Sequence, residues 1–212
     1  VIIDAYFVNQ WKIKGHVLGE CMSHPDTDLM YVHIPKNASS WTKPNLQDWN
    51  WEIYNYHEDL QIKNKKAIIV LRDPLERWVS GIAEYLYLHQ YDLNTWELSS
   101  HMINLIFDRI VFDDHTERQI NFLHGLERSN CVFFNCDENY RKNFSDFLNA
   151  NNMPNEYYKY DLQHVSANSP IRNDFKNLFQ QQIEKHSKYR EAIEWYFHED
   201  YKLINSVEFY GK

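Results

Sequence analysis

The run Ala67-Ile68-Ile69-Val70-Leu71 carries no polar side chain. A strand made from it must be covered on both faces, which is the pattern of a parallel sheet with helices above and below. Cys131-Val132-Phe133-Phe134 has the same character, and Leu29-Met30-Tyr31-Val32-His33-Ile34 is a third apolar, strand-like run. After the first of these runs, Pro74 suits the first turn of a helix, and Trp78, Val79, Ile82 and Leu86 follow at helical spacing. Strands that alternate with helical segments predict an α/β fold, three-layered, with a small central parallel sheet flanked by helices.

Other elements follow from local signals. A short helix is expected from Trp41, interrupted near Pro44, and residues 51–56 alternate enough for a short strand or extended loop. Asn94-Thr95-Trp96-Glu97 has the form of a capping box that would start a helix through about Phe107. Asp114-His115-Thr116-Glu117 offers a further helix start before Ile120, Phe122 and Leu123. Residues 131–135 read as a strand, and helices are expected at 138–150, 172–186 and 188–205. Residues 1–8 can form a strand, but residues 1–28 as a whole are left unassigned. With no repeat, low-complexity tract or linker, 212 residues predict one domain with a sizeable core.

Composition narrows the function classes. A net charge of -8 and a pI near 5.7, without a long basic run, argue against duplex nucleic acid as a partner. They leave room for a small anion held by a few local cations. Three cysteines without close pairing do not make a disulfide framework, and Cys131 reads as a core thiol. No stretch approaches the roughly 18 apolar residues of a membrane span, and Val1-Ile2-Ile3 lacks a basic leader.

Chemistry concentrates where two of the strand-like runs end. The first continues as Pro35-Lys36-Asn37-Ala38-Ser39-Ser40-Trp41, the second as Arg72-Asp73-Pro74-Leu75-Glu76-Arg77-Trp78-Val79-Ser80. A strand that runs into a polar turn and then a helix start presents backbone N–H groups to an anion. Two such units suggest a ligand with two separated phosphate-like groups. Lys36 supplies a cation at a strand's C-terminal end, where α/β ligands bind. Ser39 and Ser40 add hydroxyls, and Trp41 adds a flat surface fit to stack on a base. A surface lysine in a turn, with Trp41 in the core, explains the first segment equally well. In the second, Arg72 brings a fork-shaped cation suited to phosphate, and Ser80 lies about two helical turns into the following helix. Asp73 and Arg77 are spaced to pair as a salt bridge at the helix start. The Walker pattern Gly-x-x-x-x-Gly-Lys-[Ser/Thr] is absent.

Together the two segments resemble the sulfotransferases that use 3′-phosphoadenosine 5′-phosphosulfate (PAPS), in their carbohydrate-type branch. Residues 35–41 look like that family's 5′-phosphosulfate loop, and Arg72-Asp73-Pro74 with Ser80 looks like its 3′-phosphate motif. Weaker likenesses extend over roughly residues 29–205. The resemblance implies a P-loop-like fold and sulfuryl transfer from PAPS to a hydroxyl acceptor, a carbohydrate more than a small phenol, without a metal. It implies that Lys36 contacts the bridging oxygen, that Asn37, Ala38, Ser39 and Ser40 shape the 5′-phosphate site, and that Trp41 stacks near adenine. Arg72 and Ser80 would hold the 3′-phosphate, with Arg172 as a further candidate against its reading as an exposed helix-start arginine. It also suggests a microbial or viral cytoplasmic protein, or a trimmed catalytic domain.

A hydroxyl acceptor has to lose a proton, so a general base is expected. Glu52, His57, Glu58 and Asp59 lie between the two motifs, and His57 is favoured because an imidazole titrates near neutral pH. An exposed turn histidine explains His57 as well. Trp49, Trp51, Tyr54 and Tyr56 can form a sugar platform or core packing, and Lys63, Lys65 and Lys66 can attract an acidic glycan or sit in a solvated turn. A nucleotide-binding phosphotransferase of related fold and a catalytically degenerate nucleotide- or glycan-binding module are the rival readings.

Overall fold

A computed structural model describes residues 20–55, 64–89, 98–153 and 169–212. The chain divides into two compact units, Val1–Arg72 with Gln119–Leu162 and Leu203–Lys212, and Asp73–Arg118 with Gln163–Lys202. His57, Glu58, Asp59, the proposed capping box at 94–97 and the strand suggested for residues 1–8 lie outside the described residues.

The first unit is built on a five-stranded sheet in the order β3-β1-β2-β4-β5. Its strands are β1 (Glu20–Ser23), β2 (Leu29–Val32), β3 (Glu52–Asn55), β4 (Lys66–Leu71) and β5 (Cys131–Asn135). β2, β4 and β5 run parallel, as their apolar runs require. β1 is antiparallel to both β2 and β3, so the sheet is mixed rather than purely parallel. β1 was not legible in the sequence because four residues of mixed polarity, ECMS, give no period.

Each face of the sheet has its own core. On one face Met22, Tyr31, Ile68, Val70 and Phe134 pack against Trp41 and Leu46 of α1 (Ser39–Asp48), Trp49 just after it, and Phe144, Phe147 and Leu148 of α4 (Tyr140–Ala150). On the other, Cys21, Met30, Val32, Ile69, Leu71 and Phe133 meet Phe122 and Leu123 of a 3₁₀ turn (Gln119–Leu123) and Leu203. The even and odd residues of β4 serve opposite faces, which is why the run has no polar member.

Pro44 does not interrupt α1, which continues through it to Asp48. Asn45 Nδ2 donates to Trp41 O at 2.6 Å and so adds a side-chain donor to the carbonyls of that turn. The helix start expected at Asp114 is instead a turn. Thr116 Oγ1 accepts from the N–H groups of Phe112 and Asp113 at 2.7 and 3.1 Å and folds the chain back locally.

The second unit is helical: α2 (Pro74–Leu88), α3 (Ser100–Arg109), α5 (Pro170–Lys185), α6 (Ser187–Tyr196) and the start of α7 (His198–Ser206). The single helix expected over 188–205 is therefore two, with Phe197 between them fully buried. The core stacks Phe107 on Tyr189 at 3.9 Å and packs Trp78 against both Phe107 and Phe179. No helix of the described residues is long and apolar enough to cross a membrane.

Candidate anion-binding site

β2 and β4 are neighbours, but their chains leave in opposite directions. From β2 the chain passes through α1 to β3, beyond β1, and from β4 it goes on to β5 on the other flank. The ends of β2 and β4 thus flank a topological switch point, the place where open α/β sheets form a ligand crevice. The pairing of Leu29 with Lys66 and Tyr31 with Ile68 brings Pro35 level with Arg72. Both motifs read from the sequence therefore begin at this crevice.

The first motif turns sharply there. Asn37 N–H donates to Ile34 O at 3.3 Å, closing a turn with Pro35 and Lys36 at its centre. Pro35 pre-sets the first central position, and Lys36, at φ 69°, occupies the second, which needs a positive φ. Ala38 is again left-handed at φ 56° and opens α1 without a side-chain cap. Neither residue is glycine or asparagine, so each left-handed residue costs roughly 1–2 kcal/mol. Such alternation turns successive backbone N–H groups toward one concavity, and α1 adds its own N-terminal N–H groups from Ser39 and Ser40.

A buried glutamine fixes the second motif to the first. Gln119 has no exposed surface. Its Oε1 accepts from Asn37 Nδ2 at 2.6 Å and from Arg72 N–H at 3.0 Å, and its Nε2 donates to Arg72 O at 2.8 Å. The amide thus satisfies both backbone groups of Arg72, as a neighbouring strand would. Asn37 Nδ2 also donates to Val70 O at 2.7 Å, and an Arg72 guanidinium nitrogen donates to Lys36 O at 3.3 Å. The Arg72 guanidinium thus reaches the backbone of Lys36, thirty-six residues away in sequence, and both residues are half-buried.

Several expectations change against this geometry. Asn37 is fully buried, so its side chain is a strut of the loop and not a ligand contact. Trp41 is 5% exposed and packs edge-on against Tyr140 and Phe144, so its ring is core and offers no stacking surface. The cause is helical phase: Trp41, Asn45 and Leu46 share the buried side of α1. In the first turn Ser39 is half-buried and Ser40 is exposed. Trp49 and Trp51 are core as well. Lys65 Nζ donates to Ser23 Oγ, His24 O and Thr27 O at 2.8, 3.2 and 2.7 Å, a structural strut rather than a glycan contact.

Glu52 is exposed on the edge strand, where it accepts from Tyr54 O–H at 2.7 Å. It pairs with Ser23, whereas the loop end of the sheet is marked by Glu20, opposite Asn55. Three strand residues, about 10 Å, separate Glu52 from that end, which takes it out of consideration as a base at Lys36.

The second unit supplies two further corrections. Ser80 lies in α2, as expected, and is buried there. Arg77 is not an exposed partner of Asp73: it is 1% exposed and donates to the carbonyls of Glu117 and, at 3.0 Å, Asp114. Burial lowers its pKa to about 10 despite the surrounding Asp200, Glu117, Asp114 and Asp113. Asp73 instead caps α2, accepting from Glu76 N–H at 3.0 Å. Arg172 is buried rather than exposed, donates to Glu84 at 2.9 Å and lies over the Tyr87 ring.

Asp113, Asp114 and His115 cluster closely enough to suggest a metal site. However, His115 Nδ1 lies 2.9 Å from Asp113 Oδ2 and 3.1 Å from Asp114 Oδ1. Burial opposes its charge, but the hydrogen bonds to the two carboxylates outweigh it and raise the pKa to about 9. The cluster is thus an imidazolium held by two carboxylates.

Sequence reasoning missed the role of Gln119. Its partners lie forty-seven and eighty-two residues away, and no local signal joins them. Comparison of the chain with protein-family models, with curated proteins and with solved structures finds no match.

Proposed function

We propose that this chain transfers a sulfuryl group from PAPS to a hydroxyl acceptor, a carbohydrate in the reading favoured here, on a P-loop-like sheet. The observation that carries the proposal is the pair of left-handed, non-glycine residues Lys36 and Ala38 at the switch point. Backbone strain of this kind persists where the surrounding structure enforces it, and it clusters at ligand clamps. The Gln119 network supports the same reading, because it holds Arg72 beside the loop that carries Lys36.

The chemistry divides among the residues as follows. The N–H and hydroxyl groups of Ser39 and Ser40 hold the 5′-phosphate at the helix N-terminus. Lys36 faces the bridging oxygen, where negative charge grows as the bond to sulfur breaks. Arg72 takes the 3′-phosphate through its guanidinium. A Walker-type phosphotransferase would need the Gly-Lys-[Ser/Thr] tail that this loop lacks.

Calorimetry with 3′,5′-bisphosphoadenosine and with ATP-Mg tests the assignment. The bisphosphate should bind and ATP-Mg should bind more weakly; the reverse order would move the chain to phosphotransfer. Arg72→Ala should weaken bisphosphate binding by about 1.5–3 kcal/mol, the scale for a hydrogen bond to a charged group. Lys36→Ala should lower turnover more than affinity, because its partner charge develops in the transition state.

A further inference from the structure

The bases suggested by the sequence are either three strand residues from the loop end or outside the described chain, yet the loop itself carries an imidazole. His33 immediately precedes the Ile34–Asn37 turn, and its N–H donates to Glu20 O at 3.0 Å. That bond extends the β1–β2 ladder, whose register already pairs Cys21 with Val32. His33 and Glu20 are therefore a cross-strand pair with side chains on one face. Period two places them on the side of Tyr31, the α1 side, and His33 Nδ1 lies 3.2 Å from Glu20 Oε1.

We infer that His33 accepts the proton of the attacking hydroxyl during sulfuryl transfer, a role that rests on the reading proposed above. Glu20 is the orienting partner. A carboxylate facing Nδ1 keeps the proton on that nitrogen and leaves the Nε2 lone pair as the base. Glu20 is suited to stay ionised. Hydrogen bonds from His33 and Lys43 outweigh partial burial and hold its carboxyl at about 2. Among the described residues, Glu20 from β1 contacts this ring, Lys43 from α1 contacts the same Glu20 oxygen, and no hydrogen bond engages Nε2. The ring is 19% exposed, so it is anchored on one side and reachable on the other.

The strand order gives the pair its position relative to the donor. β1 flanks β2 on one side and β4 flanks it on the other. With Arg72 holding the 3′-phosphate from the β4 side, the β1 side remains for the acceptor, whose oxygen must attack sulfur opposite the bridging oxygen. The step balances without a redox change. The acceptor O–H bond breaks and its proton passes to Nε2. The oxygen forms the new bond to sulfur. The bond from sulfur to the bridging oxygen breaks, and its electron pair stays on the 5′-phosphate beside Lys36.

His33→Ala, His33→Gln and Glu20→Gln test the inference with sulfur-labelled PAPS. Methyl β-galactoside, heparan sulfate and chondroitin serve as acceptor probes, and water as the acceptor in donor hydrolysis. Both His33 variants should lose about a hundred- to ten-thousand-fold in turnover, the usual contribution of a general base, while bisphosphate affinity stays at its wild-type value. The arm of the pH–rate profile that falls toward acid should flatten in both, and imidazole should restore part of the His33→Ala activity. Glu20→Gln should lower turnover less than His33→Ala does. A His33→Ala enzyme with near-wild-type turnover, or with lost turnover, lost affinity and no response to imidazole, overturns the inference and leaves sulfuryl transfer standing. A wild-type chain that binds no bisphosphate and cleaves no PAPS overturns the transfer reading, and the assignment of His33 with it.

Discussion

Gln119→Ala removes hydrogen bonds that tie the Lys36 loop to the end of β4. Three hydrogen bonds are lost: from Asn37 Nδ2, from Arg72 N–H and to Arg72 O. At a net contribution near 1 kcal/mol each, their loss costs about 3 kcal/mol. Asn37 Nδ2 keeps Val70 O as a partner, and Arg72 is half-buried, so water can reach part of what is exposed. Those two facts hold the additional desolvation penalty low. The cavity left by a fully buried side chain adds to the loss, giving an expected destabilisation of about 3–5 kcal/mol. A domain with typical stability would remain folded under native conditions, though close to its limit. Urea unfolding measures the loss, and calorimetry with 3′,5′-bisphosphoadenosine measures the second consequence. With Arg72 and Lys36 no longer held in register, bisphosphate affinity should fall by at least about tenfold at a temperature where the variant is folded. A loss of stability below about 1 kcal/mol would refute the energetic argument. A large loss of stability with unchanged affinity would refute the claim that the amide positions the cationic pair.

Ala38→Gly should stabilise the folded chain, because glycine relieves the left-handed strain at φ 56°. The gain, after glycine's larger unfolded-state entropy, is expected near 0.5–1 kcal/mol by thermal or urea unfolding. Gly81→Ala should destabilise severely: a Cβ there would lie 2.1 Å from the carbonyl oxygen of His115, and backbone must move to admit it. A melting temperature within a degree or two of wild type would contradict that contact. The His115 cluster gives a pH dependence. Its pKa is raised from 6.5 to about 9, so its contribution to stability is present in full below about 6.5 and is lost as pH rises through about 9. Urea midpoints taken between pH 6 and pH 10 should fall over this window, and the fall should be much smaller in His115→Gln.

The parallel part of the sheet was written in the chain, because a strand with no polar residue can only be buried on both faces. β4 and β5 appear where their apolar runs lie, and α2 begins at Pro74. The position of the candidate loop was legible too, since strand, polar turn and helix start are contiguous in sequence. What tertiary structure decided was each side chain's share in that site. Trp41 and Asn37 sit in the motif but point into the core, because helix phase and a buried bonding network set their directions. Gln119 had no motif to announce it and is the residue that brings Lys36 and Arg72 together. His33 led into the first motif without a role of its own, and its pairing with Glu20 depended on β1, whose four residues carry no local pattern. Contiguous signals survive in a sequence because neighbouring residues share one local geometry. Contacts across thirty or eighty residues do not, because they exist only once sheet order and register have been chosen.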